Sequence, residues 1–315
     1  MMARLSWLIL VSLVAFGCGG HKPPPAPPPK ASPPPPPPPP PKPKPPLLYL
    51  PAVRSVDTPR VPRAGVEEGS QRLASRIAAS ETFSLAPVAT SSGAAPCVIE
   101  SCVISAAQQA GARSVLYSRL VQYAESCVLL AVLYDAETSK NEWAFARPVA
   151  CEPVAVDGAI TELGGAFLGR PGKTPVGPAW AVAPIQHDIT DSAFATESWA
   201  ELLTTLIAAS GKTIVPASTV ALPLQGKKVE PYKGCPDKKC ATEIGATAGA
   251  ARIVSTKIAR KKPTCVLSAA VFDVSTKTSS ISAAAKGGCA AADVAEGLRT
   301  VATALVGEPA GGDLR

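Results

Sequence analysis

The chain has 315 residues, 35 of them Pro and only two His (His21 and His187), so a His-built catalytic triad and a His-rich metal site are excluded. Its net charge of +7 is a local excess: Arg4, Lys22, Lys30, Lys42 and Lys44 all precede Leu47, and the rest of the chain is near +2. That balance excludes a nucleic-acid footprint, whereas the basic N-terminal stretch suits anionic lipid or cell-wall polymer.

The first element is an apolar run, Trp7–Phe16, behind a short n-region carrying Arg4. Ten residues are too few to span a bilayer and suit the h-region of a signal peptide. The string Ala15-Phe16-Gly17-Cys18 resembles a bacterial lipobox, with a small residue before the Cys; Ala15 and Phe16 depart from its commonest residues. The resemblance implies a signal peptide over 1–17, lipid attachment (palmitate and related acyl chains) at Cys18 and, with Gly19 rather than Asp after it, export to the outer membrane. The other reading is an ordinary signal peptide cleaved nearby.

Residues 18–46 form a Pro-rich linker, unbroken from Pro33 to Pro41. Pro fixes φ and lacks an N–H, so the segment joins neither helix nor sheet and extends as polyproline II. At about 3.1 Å per residue its 26 residues from His21 to Pro46 reach on the order of 80 Å, a stand-off spacer. The rival is a PxxP ligand for a partner groove.

Elements then follow in two series. Leu47–Val53 reads as a buried strand, 66–80 as a helix, Phe83–Val88 as a strand and the stretch from Glu100 to Gly111 as a helix closed by glycine. Three meander strands come next, Arg113–Gln122, Cys127–Asp135 and Trp143–Cys151, and a helix over Val154–Leu168. After the Pro/Gly-rich stretch Gly169–Pro178, the order recurs: strand Trp180–Ile185, helix 197–210, strand Thr213–Ser218, a helix ending at Gly249, three strands, and a helix over Ala291–Val306.

The cysteines make the recurrence quantitative. Cys97, Cys102, Cys127 and Cys151 reappear as Cys235, Cys240, Cys265 and Cys289, each displaced by 138 residues. Gly111-Ala112, Asp135 and Thr138 reappear as Gly249-Ala250, Asp273 and Thr276 at that same offset. The expected architecture is therefore α/β with mixed sheets: two tandem copies of a β-α-β-α-β-β-β-α domain, over 47–170 and 179–308, with a linker at 171–178 and a tail at 309–315. The helix ending in Gly-Ala and the hairpin strand ending in Asp-x-x-Thr resemble the periplasmic αβ domains of the CsgG and TolB amino-terminal type. The resemblance implies an envelope protein; long amphipathic pore hairpins and a β-propeller are not legible here.

The hairpin arithmetic pairs the cysteines. If Cys127 faces Cys151, the turn centres on Ser139; if Cys265 faces Cys289, it centres on Lys277, and both lie in turn-like sequence. Cys97–Cys102 and Cys235–Cys240 then pin a loop to a helix start, and the ninth cysteine is Cys18. The rival is a Cys-ligated metal or cluster, but these spacings are not those of a zinc ribbon, and an exported chain is oxidised.

Other chemistry is sparse. Gly172-Lys173-Thr174 and Gly211-Lys212-Thr213 lack the upstream glycine of a P-loop, Phe167 and Leu206 standing there instead. Asp135 and Asp273 read as turn initiators, Glu67 and Glu68 as helix-start acids and His187 as a loop residue. Lys257, Arg260, Lys261 and Lys262 read as a basic cluster at a strand tip, either solvated surface or a contact for an acidic partner. The expectation is a non-enzymatic outer-membrane lipoprotein without cofactor or metal. Its folded domains are periplasmic and bind an envelope protein; the alternative is a cell-wall-polymer or small-ligand module using the cleft between the domains.

Overall fold

The computed structural model describes residues 43–56, 63–88, 97, 99–123, 126–170, 175, 177–188, 196–221, 235 and 237–307. The signal peptide, Cys18, nearly all of the Pro-rich linker and the 309–315 tail lie outside these residues.

The first series forms β1 (Leu47–Tyr49), β2 (Arg54–Val56), α1 (Arg63–Ala79), β3 (Ser84–Leu85), α2 (Glu100–Gln109), β4 (Ser114–Tyr123), β5 (Ser126–Asp135), β6 (Asn141–Ala150) and α3 (Pro153–Leu168). Its mixed sheet runs β3-β1-β4-β5-β6, with β2 also on β4. The second series forms β7 (Trp180–Val182), β8 (Gln186–His187), α4 (Thr196–Ala209), α5 (Ala217–Ala221), α6 (Lys238–Thr247), β9 (Arg252–Lys261), β10 (Thr264–Asp273), β11 (Ser279–Gly287) and α7 (Ala291–Val306). Its sheet runs β11-β10-β9-β7, with β8 also on β9.

Two sequence expectations change. Each expected opening strand is cut to its first three residues, β1 before Pro51 and β7 before Pro184, and a further strand, β2 or β8, follows just past the expected range; all four pieces run parallel to one long strand, β4 or β9. A proline has no N–H to give a ladder, so pairing stops and resumes beyond it. His187 consequently sits in β8 rather than in a loop. The strand expected over 213–218 reduces to one bridge, Ile214 on Trp180, because the chain turns at Pro216 into α5. Pro suits a helix entrance, where its missing N–H costs nothing.

Three clusters of buried side chains set the layers. On one face of the first sheet, Leu73 and Ile77 of α1 and Ile160, Leu163 and Phe167 of α3 pack on Leu116, Leu120, Leu129 and Leu133. On its other face, Val121, Leu130, Val132 and Tyr134 join Trp199, Leu203 and Ile207 of α4. That same cluster continues through Leu298 and Val301 of α7 to Val254, Ile258, Leu267 and Val271, the inner face of the second sheet. So α4 and α7 lie between the two sheets. On the outer face of the second sheet, α6 covers one end through Ala241 and Ile244 against Ile253. From Lys44 onward the chain is one compact unit.

The covering explains a contrast between the central strands. β5, with Val128–Leu133 apolar throughout, is buried nearly end to end. β10 alternates, with Leu267, Ala269 and Val271 buried and Ser268 exposed. A strand covered on both faces reads as a continuous apolar run, and one covered on a single face reads with period two. Among the described residues no helix is long and apolar enough to cross a membrane.

The four cysteine pairs are disulfide-bonded: Cys97–Cys102 and Cys235–Cys240, each with Cα atoms 5.4 Å apart, and Cys127–Cys151 and Cys265–Cys289, each at 5.1 Å. The long pairs do not face each other across the hairpin as the turn arithmetic supposed. Cys127 is registered against Val149, and Cys265 against Gly287, with an irregularity near each turn. Cys151 and Cys289 stand two residues further on, ahead of α3 and α7. Each bridge therefore ties a strand to the entrance of the helix that covers it.

Candidate functional site

The Asp-x-x-Thr motif is a turn device. The Asp135 carboxylate accepts from the Thr138 N–H and hydroxyl, at 2.7 and 2.9 Å, and Asp273 accepts from Thr276 in the same way, at 2.9 and 3.2 Å. Ser139 and Lys277, one residue further on, each take a left-handed φ of 56°. Hydrogen bonds from Ser275 and Thr276 hold the Asp273 carboxyl down at about 2. Both aspartates are committed to the hairpin and not to chemistry.

The junction of the two series is polar as well as apolar. Arg119, on the α4 side of the first sheet, forms an ion pair with Glu201 of α4; the side chains are 14% and 5% exposed. The Tyr123 hydroxyl donates to the Ser198 carbonyl at 3.1 Å, and its ring lies 4.8 Å from that of Trp199. Asn141 accepts from the Ile214 N–H at 2.7 Å and donates to the Lys212 carbonyl at 3.0 Å, clamping β6 to the bridge residue. At the start of α2, Glu100 accepts from the Tyr134 hydroxyl and from the Ser218 N–H, both at 3.0 Å. Burial pushes the Glu100 carboxyl above its usual range and the Tyr123 phenol up as well. These buried groups have partners, as burial requires. The ligand cleft expected between the domains is filled by Trp199, Tyr123 and Leu203.

The open concavity lies elsewhere, on the outer face of the second sheet beside α6. It measures about 540 Å3 and is lined by residues including Gln186, Lys238, Ser255, Lys257, Ser268 and Ser282. Ser255 and Lys257 project from β9, Ser268 from β10 and Ser282 from β11, on the strand positions that alternate with the buried ones. The Asp237 carboxylate at the rim caps α6, accepting from the Cys240 N–H at 2.8 Å. Lys238 and Lys257 are exposed, so the face is positive and hydroxyl-rich.

The basic quartet divides over this geometry. Lys257 lines the concavity. Arg260 has the opposite strand parity, and its N–H donates to the Asp188 carboxylate at 2.8 Å. Lys261 ends β9 and Lys262 lies in the turn to β10, beyond the concavity. Sequence reasoning missed Ser255, Ser268, Ser282 and Lys238. Their signal was present as the small polar residues alternating with apolar ones along β9–β11. Among the described residues no group of three or more His, Cys, Asp or Glu is placed to hold a metal ion.

No family model matches the chain, and no curated protein sequence matches it. Solved structures show partial similarity. Escherichia coli LpoB, solved by NMR, is 19% identical over 39% of this chain and 61% of that one, with a TM-score of 0.29. Lipoprotein GNA1162 from Neisseria meningitidis is 13% identical over 35% of this chain and 82% of that one, at 0.28. The PelC dodecamer from Paraburkholderia phytofirmans is 20% identical over 41% and 83%, at 0.25. The chain spans about three fifths of the length of E. coli LpoB.

Proposed function

We propose that this chain is a non-enzymatic envelope scaffold, anchored in the outer membrane by lipid on Cys18, held off it by the Pro-rich linker, and binding an envelope protein in the periplasm. Its body is a duplication of one β-α-β-α-β-β-β-α unit of the CsgG and TolB amino-terminal type. The constant 138-residue offset of the cysteines supports the duplication, as do the strand registers that share it, Ser114 on Asp135 and Arg252 on Asp273. Four disulfides suit an oxidising compartment.

The observation that carries the reading is the outer face of the second sheet. Both faces of the first sheet and the inner face of the second are covered by helices, whereas this one stays concave and open beyond α6. A photo-crosslinking residue placed at Ser268 in cells, with the exposed Gln71 of α1 as the control position, tests it. Specific envelope proteins captured at 268, absent at 71 and lost in Cys18→Ala, are expected. Equal capture at both positions, or none together with an envelope unchanged on deletion, sinks the reading.

A second reading is polymer or small-ligand binding in the same concavity. The row of Ser255, Ser268 and Ser282 hydroxyls beside the Lys257 ammonium favours it. It predicts no protein crosslinks and a saturable interaction with soluble cell-wall fragments.

A further inference from the structure

The first sheet displays how this fold receives a helix. Its α4-side face offers Tyr117 and Arg119 from β4, Leu130 from β5 and Ala144 from β6, and α4 docks there with Glu201 paired to Arg119. Displaced by 138 residues, those positions become Ser255, Lys257, Ser268 and Ser282, the lining of the open concavity. The cation is kept, as Arg119 becomes Lys257, while Tyr117 and Leu130 shrink to serine. The acid of the first face is also exchanged: buried Glu100 becomes exposed Lys238, and its partner Tyr134 becomes Phe272, which has no hydroxyl to give it. The second face therefore keeps the cation for a carboxylate-bearing helix, has smaller side chains at two of these positions, and carries two ammonium groups against one acid, Asp237 at the rim, whose carboxylate is taken by the α6 cap.

We infer that the outer face of the second sheet docks an acidic helix of a partner protein, in the way the first sheet docks α4. This rests on the scaffold reading and names the partner's chemistry. A second copy of this chain is disfavoured by charge. The helix equivalent to α4 is α1, matched by Ser80 and Ser210, whose hydroxyls bond the carbonyls of Ile77 and Ile207. At that spacing Glu201 corresponds to Gln71, and Leu202 and Leu206 correspond to Arg72 and Arg76. A second copy's α1 would bring arginines, not a carboxylate, to Lys257 and Lys238.

The test uses the full chain in detergent and a helix-stabilised synthetic peptide of the α4 sequence, 196–209, as probe. Saturable binding by fluorescence anisotropy is expected. Lys257→Glu weakens it about tenfold, and a Glu201→Lys version of the peptide regains the loss on the Lys257→Glu chain. Ser268→Trp, an exposed change that fills the concavity, abolishes binding while leaving the thermal melt in place. No binding, or binding indifferent to both variants, overturns the inference. So does unstructured polyglutamate binding as tightly as the helix, which makes the face a polyanion site. Self-association of the full chain in sedimentation that Lys257→Glu abolishes overturns the choice of partner. If the peptide fails while position 268 still captures an envelope protein in cells, the scaffold reading stands and the helix falls.

Discussion

Arg119 and Glu201 come from opposite halves of the chain and are both largely buried. Removing one member of such a pair strands the other in a low-dielectric setting, which costs more than the pair itself contributes. Arg119→Met is expected to destabilise the protein by about 3 kcal/mol in urea unfolding, and adding Glu201→Leu to recover most of that. A loss below about 1 kcal/mol would place the pair in solvent. Glu100 makes a pH-dependent contribution of definite sign. Burial raises its carboxyl above the usual 4.5, so the folded state holds the proton more tightly than the unfolded chain does. The stabilisation is complete below the unfolded value and is lost as pH rises through the folded one. Glu100→Gln should therefore gain on the wild type in melting temperature as pH rises from about 4 to about 8. Parallel profiles would refute the assignment.

At the scale of elements, the disulfides act as strand-to-helix ties. Cys127–Cys151 spans 24 residues and Cys97–Cys102 spans 5, so chain entropy predicts unequal contributions. Replacing both cysteines by alanine should cost about 3.5 kcal/mol for the long bridge and about 2 kcal/mol for the short one, read from guanidinium melts under non-reducing conditions. Equal losses would contradict the loop-length account. The long bridge has a second consequence. Cys151 stands two residues before Pro153, the first residue of α3, with only the N-cap Glu152 between, so its loss frees the entrance of the helix that covers Leu129 and Leu133. Protection from amide exchange in α3 should fall further than in β5, which keeps its ladders to β4 and β6.

For the whole molecule, the decisive feature is that α4 and α7 are shared between the two sheets. The first series alone, residues 44–170, keeps α2 beside Tyr134 but leaves Val121, Leu130 and Val132 without α4. An exposed apolar face of that kind drives association. The isolated fragment should bind a hydrophobic dye and elute as oligomers, and adding residues 177–307 in trans should reverse both. A monomeric fragment with a cooperative melt and no dye binding would mean that the halves are independent. The concave outer face of the second sheet is the complementary case, small and hydroxylated enough to remain in water.

Much of this was legible in the chain. The 138-residue offset, the Asp-x-x-Thr turns, the helix-ending glycines Gly111 and Gly249 and the cysteine pairs all arise from local chemistry or simple spacing, which sequence carries directly. The contrast between Val128–Leu133 and the alternating β10 was already written in the residues, as was the polar row Ser255, Ser268 and Ser282. Tertiary structure decided the rest. It cut the opening strands short before Pro51 and Pro184, moved the long cysteine pairs beyond the facing register, and laid α4 on a sheet formed tens of residues earlier, where Glu201 meets Arg119. Nothing near Glu201 in sequence announces that meeting. It depends on two surfaces fitting once both have formed, whereas a turn or a cap is fixed by the few residues that compose it.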